Sequence, residues 1–191
     1  MSKTMLPIAL SNKHIHVSQA DLDVLYGSGY ELSKMKDLSQ PGQYACDEKV
    51  DIVGPKGTLK GVRILGPVRP DTQIEVSIAD AFALGIPPVV RNSGELNDTP
   101  GLKVIGPKGE VDLEKGVIVA ARHIHMHTTD GEEFGVNDKQ IVSVKVNGPR
   151  GLVFDNVLVR VHPTYALEMH VDLEEGNASG IKNGDLVELI K

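Results

Sequence analysis

Ser11-Asn12-Lys13-His14-Ile15-His16 near the start and Arg122-His123-Ile124-His125-Met126 beyond the middle share one tripeptide, His-Ile-His. In an extended segment side chains alternate faces, so residues i and i+2 project the same way. Each tripeptide therefore offers two imidazoles to one point in space, and neutral imidazole is a leading zinc ligand. Four of the seven histidines sit in these two copies. The pairs stand at a constant offset of 109 residues (14 to 123), which also aligns Ile15 with Ile124 and Asp21 with Asp130. Further on, Gly54-Pro55-Lys56-Gly57 resembles Gly148-Pro149-Arg150-Gly151, and each turn precedes a β-like run, at residues 62–65 and 157–161. The pattern predicts a duplicated unit with unequal insertions. A third turn of this type, Gly106-Pro107-Lys108-Gly109, counts against reading duplication from the turns alone.

The wider composition fits small β-structures. Twenty Gly and eleven Pro in 191 residues imply many turns, and three Phe, four Tyr and no Trp leave the core to Val, Ile and Leu. Period-two alternation predicts strands at residues 50–53, 62–65, 73–76, 104–105, 117–120, 141–146, 157–161 and 186–190. Ser18 and Ser77, each followed three residues later by Asp, predict short helices over about 21–26 and 78–84. Many short strands with few short helices point to small β-barrels. Residues 87–101, rich in Pro, Gly and Asn, read as the most linker-like surface segment.

Several chemistries are disfavoured. A net charge of −6 argues against nonspecific nucleic-acid binding, although a local basic pocket can still hold an anion. The single cysteine, Cys46, excludes an internal disulfide and a cysteine zinc cluster, and it fits a reducing compartment. No apolar run approaches membrane-spanning length, and the start of the chain lacks a secretion signal's apolar core, so the expected location is the cytoplasm. No Walker P-loop, Gly-x-Gly-x-x-Gly or Gly-x-Ser-x-Gly motif is present.

A third donor for each imidazole pair is less legible. His170, in Glu168-Met169-His170-Val171-Asp172, is the best further imidazole, with acidic neighbours suited to fixing its tautomer. His127 and His162 read as solvated surface residues. Glu75 stands inside an apolar run, where a buried carboxylate needs a partner such as a metal; facing water by strand alternation is the other reading. Arg63 and Arg69, with Lys56 and Lys60 nearby, suit phosphate or equally a charged strand edge.

Five separated motifs resemble the PduL-type phosphotransacylases, the phosphate propanoyltransferases or phosphate acyltransferases. They are the two His-Ile-His stretches, Gln40-Pro41-Gly42-Gln43-Tyr44-Ala45, Gly66-Pro67-Val68-Arg69, and Glu168-Met169-His170-Val171-Asp172 continuing through Glu175-Gly176-Asn177-Ala178. The resemblance runs in order from about Leu6 to Lys191. It implies a mainly β protein of two β-barrel domains capped by short helices, one formed by residues 1–12 plus 121–191 and the other by 13–120. It implies two Zn2+ at their junction, one held by His14, His16 and Glu75 on the coenzyme A thiol side. The other would be held by His123, His125 and His170 on the phosphate side. Arg69 falls where the family's phosphate-contacting arginine lies, and Ser11, Lys36, Arg63, Leu65, His170 and Asn177 fall at coenzyme A or phosphate positions. The implied reaction is acyl-CoA + phosphate = acyl phosphate + CoA with a short acyl group, acetyl or propanoyl, as in propanediol degradation or acetate metabolism.

Microcompartment-borne members carry an amphipathic encapsulation extension before the first motif, whereas this chain begins shortly before His14. A free cytoplasmic enzyme is therefore expected, the lumen of a bacterial microcompartment being the alternative. A homodimer fits the family, and no membrane or nucleic-acid partner is expected. Two other classes use the same donors: a dinuclear zinc hydrolase that activates water, and a noncatalytic module with saturated metal coordination.

Overall fold

The central isoleucine of each His-Ile-His stretch decides where the histidines point. Ile15 and Ile124 are both 0% exposed, each within a separate apolar core. Alternation along the strand then sends the flanking imidazoles to the opposite face. The computed structural model describes residues 3–190.

The chain begins β1 (Met5–Ser11), β2 (His14–His16), α1 (Gln19–Tyr26), β3 (Lys34–Asp37), β4 (Tyr44–Val53) and β5 (Thr58–Gly66). It continues through β6 (Gln73–Glu75), α2 (Ile78–Leu84), β7 (Val90–Arg91), β8 (Lys103–Ile105), β9 (Glu110–Asp112) and β10 (Val117–Ala120). It ends with β11 (His123–Met126), α3 (Thr128–Phe134), β12 (Ile141–Val146), β13 (Leu152–Val161), β14 (Glu168–Asp172), α4 (Leu173–Ser179) and β15 (Leu186–Ile190). The protein is mainly β, with four short helices among the described residues.

Two compact units result. One comprises Met1–Ser11, Ser39–Pro41 and Ala121–Lys191; the other comprises Asn12–Leu38 and Gly42–Ala120. The first is a closed barrel in the order β1-β14-β11-β13-β12-β15, with β15 returning to β1. The second is a nine-stranded sheet curled into a half-barrel, and its central path runs β10-β6-β2-β5-β4-β8. These two six-strand paths repeat the same sequence of parallel and antiparallel pairings, strand for strand. The duplication therefore extends to topology, with β10 matching β1. The barrel closes because β1 and β15 pair. In the other unit the corresponding edges turn elsewhere, β10 to β7 and β8 to β9.

Each helix follows directly on one of the strands that carry His16, Glu75, His125 and His170. The N-caps Ser18, Ser77, His127 and Asp172 lie two residues after His16, Glu75, His125 and His170. Three residues beyond each cap stands an acid, Asp21, Asp80, Asp130 or Glu175. In α2, α3 and α4 both arms of the capping box form, satisfying backbone donors that a helix start leaves unpaired. Gly85 and Gly180, equivalent at an offset of 95 residues (85 to 180), end α2 and α4 in the left-handed conformation glycine adopts without Cβ strain.

The strand reading needs extension. The strand predictions omit β1, β3, β7 and β9, which are short or broken by polar and Pro residues, and β14, and they begin β4, β5 and β13 late; β2 and β11 are the His-Ile-His stretches read as extended. Helices α3 and α4 were missed too. The first is capped by a histidine, and the second follows directly on a strand with Asp172 serving both. Residues 87–101 are not a linker. They lie wholly within the second unit, carry β7, and bury Leu96 and Thr99. Thr99 Oγ1 accepts the Gly116 N–H at 2.9 Å and donates to the Leu96 carbonyl at 2.7 Å. No helix among the described residues is long and apolar enough to cross a membrane.

Ile15→Ala and Ile124→Ala should each destabilise the unit that carries the residue by about 2–5 kcal/mol, read from urea midpoints. A cost within the surface-substitution range of about 0.5 kcal/mol would contradict this core role.

Candidate metal centres

Register brings a third donor to each imidazole pair. In the second unit β2 runs antiparallel to β6, placing His14 opposite Glu75 and His16 opposite Gln73. In the barrel β11 runs antiparallel to β14, placing His123 opposite His170 and His125 opposite Glu168. The two pairings are equivalent position by position. Within each triad, His14/His16/Glu75 and His123/His125/His170, one donor atom per residue lies within 4.8 Å of the others. His14 Nε2 stands 3.6 Å from Glu75 Oε2, and His123 Nε2 stands 3.1 Å from His125 Nε2. Two nitrogen or oxygen ligands of one tetrahedral zinc lie about 3.3–3.4 Å apart, so both spacings suit a shared ion.

Neighbouring acceptors set the tautomers. His14 Nδ1 faces the Asn12 carbonyl at 2.8 Å, and His123 Nδ1 faces the Ala121 carbonyl at the same distance. His16 Nδ1 faces the Leu65 carbonyl at 3.2 Å. Each carbonyl accepts the Nδ1 proton and leaves the Nε2 lone pair for a ligand. His170 reverses this, because its Nε2 lies 2.7 Å from Glu168 Oε2, which leaves Nδ1 for the ligand. Glu75 divides its oxygens: Oε1 accepts from the Gln73 amide at 2.7 Å, while Oε2 faces His14.

Electrostatics keep His16 neutral. Burial first, then the charges of His14 and Arg69, lower its pKa to about 3. For His14, burial disfavours the proton, but the charge and hydrogen bond of Glu75 outweigh it and raise the pKa. At Glu168 burial pushes upward, and hydrogen bonds from His170 and Ser39 overcome it to hold the carboxyl below its usual value.

The remaining predicted residues scatter between the units. Arg69 joins the first triad's surroundings, with Nη1 3.3 Å from Ser93 Oγ and its backbone N–H donating to the Val17 carbonyl. Arg63 pairs with His14 in the sheet and donates a guanidinium N–H to the Cys46 carbonyl. Leu65 lies on the same strand, and Lys36 is exposed on β3. In the barrel unit Ser11 ends β1 opposite Asp172, and Asn177 is exposed on α4. His162 is on the surface as expected. His127 is not merely a solvated residue: it is half-buried, and its Nδ1 accepts the Thr129 N–H as the cap of α3.

Three residues near the triads escaped notice in the sequence, Gln73, Ser93 and Tyr165, while Glu168 is the acidic neighbour that contacts His170. Tyr165 packs edge-on against His125 with ring centroids 4.5 Å apart. One signal was available. The pattern donor-x-cap-x-x-acid occurs four times, after His16, Glu75, His125 and His170, and would have identified both third donors.

The chain matches the sequence model of a family described as phosphate propanoyltransferase over residues 7–182. It is similar to the phosphate propanoyltransferase of Thermotoga maritima, 55% identical over 185 residues that cover 96% of this chain and 88% of that protein. Proteins of the same name match from Rhodopseudomonas palustris, 52% identical over 96% of this chain and 81% of that protein, and from Clostridioides difficile, 47% identical over 99% and 90%.

In the metal-free protein, ring-resonance NMR should find His16 neutral down to about pH 3 and His14 titrating above 6.5. The unfolded chain protonates His16 near 6.5 while the folded one does not, so His16 withdraws stability as pH falls through that value. A His16 that titrates near 6.5 would contradict its burial.

Proposed function

Because the chain belongs to the phosphate propanoyltransferase family, we propose that it transfers a short acyl group, acetyl or propanoyl, reversibly between coenzyme A and inorganic phosphate, using two Zn2+ per chain, one in each unit. The enzyme class, acyltransferase, is the family's. The observation that carries the zinc reading is the pair of equivalent triads, in which His14, His16, His123 and His170 each have one ring nitrogen held by an oxygen acceptor. An N,N,O set and an N,N,N set are both ordinary zinc donors, and three protein ligands leave a coordination place open, as in catalytic sites.

Bound there, zinc would supply a Lewis acid, accommodating the departing thiolate at the His14 triad and anchoring phosphate at the His123 triad. The chain's own groups do the rest. Arg69 is assigned to phosphate, because a guanidinium always carries its charge and matches a phosphate edge with two donors. Ser93 restrains one end of that guanidinium. A phosphate oxygen attacks the thioester carbonyl carbon, the C–S bond breaks, and its electron pair leaves on sulfur. Ser11, Lys36, Arg63, Leu65, His170 and Asn177 are assigned to coenzyme A or phosphate contacts. The cytoplasm is the proposed location, in keeping with one free, buried cysteine.

Acetyl-CoA or propanoyl-CoA should release free thiol only when phosphate is present, with acyl phosphate formed in equal amount. Thiol release without phosphate would favour the hydrolase instead. Chelation should abolish turnover, and His123→Ala should lose both activity and one bound zinc. Full activity with two zinc ions in that variant would sink the assignment. Arg69→Ala should lower turnover by about 10²-fold or more, the scale for removing one donor that stabilises developing charge.

A further inference from the structure

The residue opposite the second histidine of each triad touches the third donor. Gln73, opposite His16, is 1% exposed and gives its amide N–H to Glu75 Oε1. Glu168, opposite His125, receives His170 Nε2 at 2.7 Å. Both lie two residues before the donor they contact, on the equivalent strands β6 and β14. Each is tethered in turn by a serine from a loop. Ser93 Oγ stands 2.9 Å from Gln73 Nε2, and the Gly94 N–H donates to Gln73 Oε1 at 2.7 Å. Ser39 donates to Glu168 Oε2. Gln40 then holds the loop by gripping both polar atoms of the Ala166 peptide, donating to its carbonyl at 3.0 Å and accepting its N–H at 3.3 Å.

We propose that Gln73 and Glu168 are positioning residues that aim the third donor of each triad, Gln73 by donating to Glu75 and Glu168 by accepting from His170. The inference rests on reading the triads as zinc ligands. The chemistry of the two pairs is exchanged while their charge is kept. In one the anion is the donor and its neutral neighbour steers it; in the other the neutral imidazole is the donor and the anion steers it. Gln73 occupies Oε1 and leaves Oε2 for the ion. Glu168 fixes the proton of His170 on Nε2 and leaves Nδ1. Partners of this kind are worth about 10–100-fold in metal affinity when removed.

Isosteric exchanges separate this role from simple packing. Zinc competition titration of the metal-depleted full chain should find two tight sites. Glu168→Ala should weaken one of them about 10–100-fold, while E168Q, which keeps a carbonyl oxygen for the imidazole N–H, should recover most of the loss. Gln73→Glu has the same shape but removes the donor and sets two carboxylates together, so it should weaken the other site as strongly as Q73A. Combining E168A with Q73E should weaken both sites, and cobalt substitution should show the altered d–d bands of each separately. Wild-type affinity in both E168A and Q73E, or equal loss in E168A and E168Q, would overturn the proposal. Q73E carries the test should E168A not fold. A wild-type chain that binds no zinc would instead overturn the reading of the triads themselves.

Discussion

The structure depends on one antiparallel register made twice: His14 against Glu75 and His123 against His170. Moving either pairing by one residue would turn Ile15 or Ile124 out of its core and the histidines into it. The buried isoleucine thus holds the site in place as firmly as any hydrogen bond among the donors. Ile15 sits opposite Ile74 and Ile124 opposite Met169, so the cross-strand neighbours on the core face are apolar in both units. Packing on one face of each strand pair fixes chemistry on the other.

From that register the rest of each site follows as consequence. The strand carrying the donors ends within two residues of the last one, and a cap turns the chain into a short helix. A carbonyl two residues before the first histidine, Asn12 in one unit and Ala121 in the other, takes its Nδ1 proton. The duplicated segment therefore carries two imidazoles, the carbonyl that turns the first of them and a helix cap in one stretch of chain. Its two copies diverge where chemistry permits, at Glu75 against His170 and at Gln73 against Glu168.

Much of this was readable, for identifiable reasons. The His-x-His pairs are legible because alternation in a strand is local geometry and needs no partner. Helices α1 and α2 were legible through Ser18 and Ser77. Helix α3 was hidden because its cap is His127, an uncommon capping residue. Helix α4 was hidden because Asp172 belongs to strand and helix at once. Strands β2 and β14 alternate polar and apolar residues over three and five positions, but the pairing that stabilises them comes from neighbours distant in the chain.

The amino-acid sequence by itself determined the mainly β character, the duplication of the His-Ile-His stretch, the pairing of imidazoles on one face and the family. Tertiary structure brings the third donors to their imidazole pairs, because Glu75 and His170 reach the histidines through hydrogen bonds between strands far apart in the chain. It also decided that one unit closes and the other stays open. The six-strand order is shared, but only β1 and β15 meet edge to edge, whereas β10 and β8 are taken by β7 and β9. Local patterns state which face a side chain takes; pairing between distant strands states what that face meets.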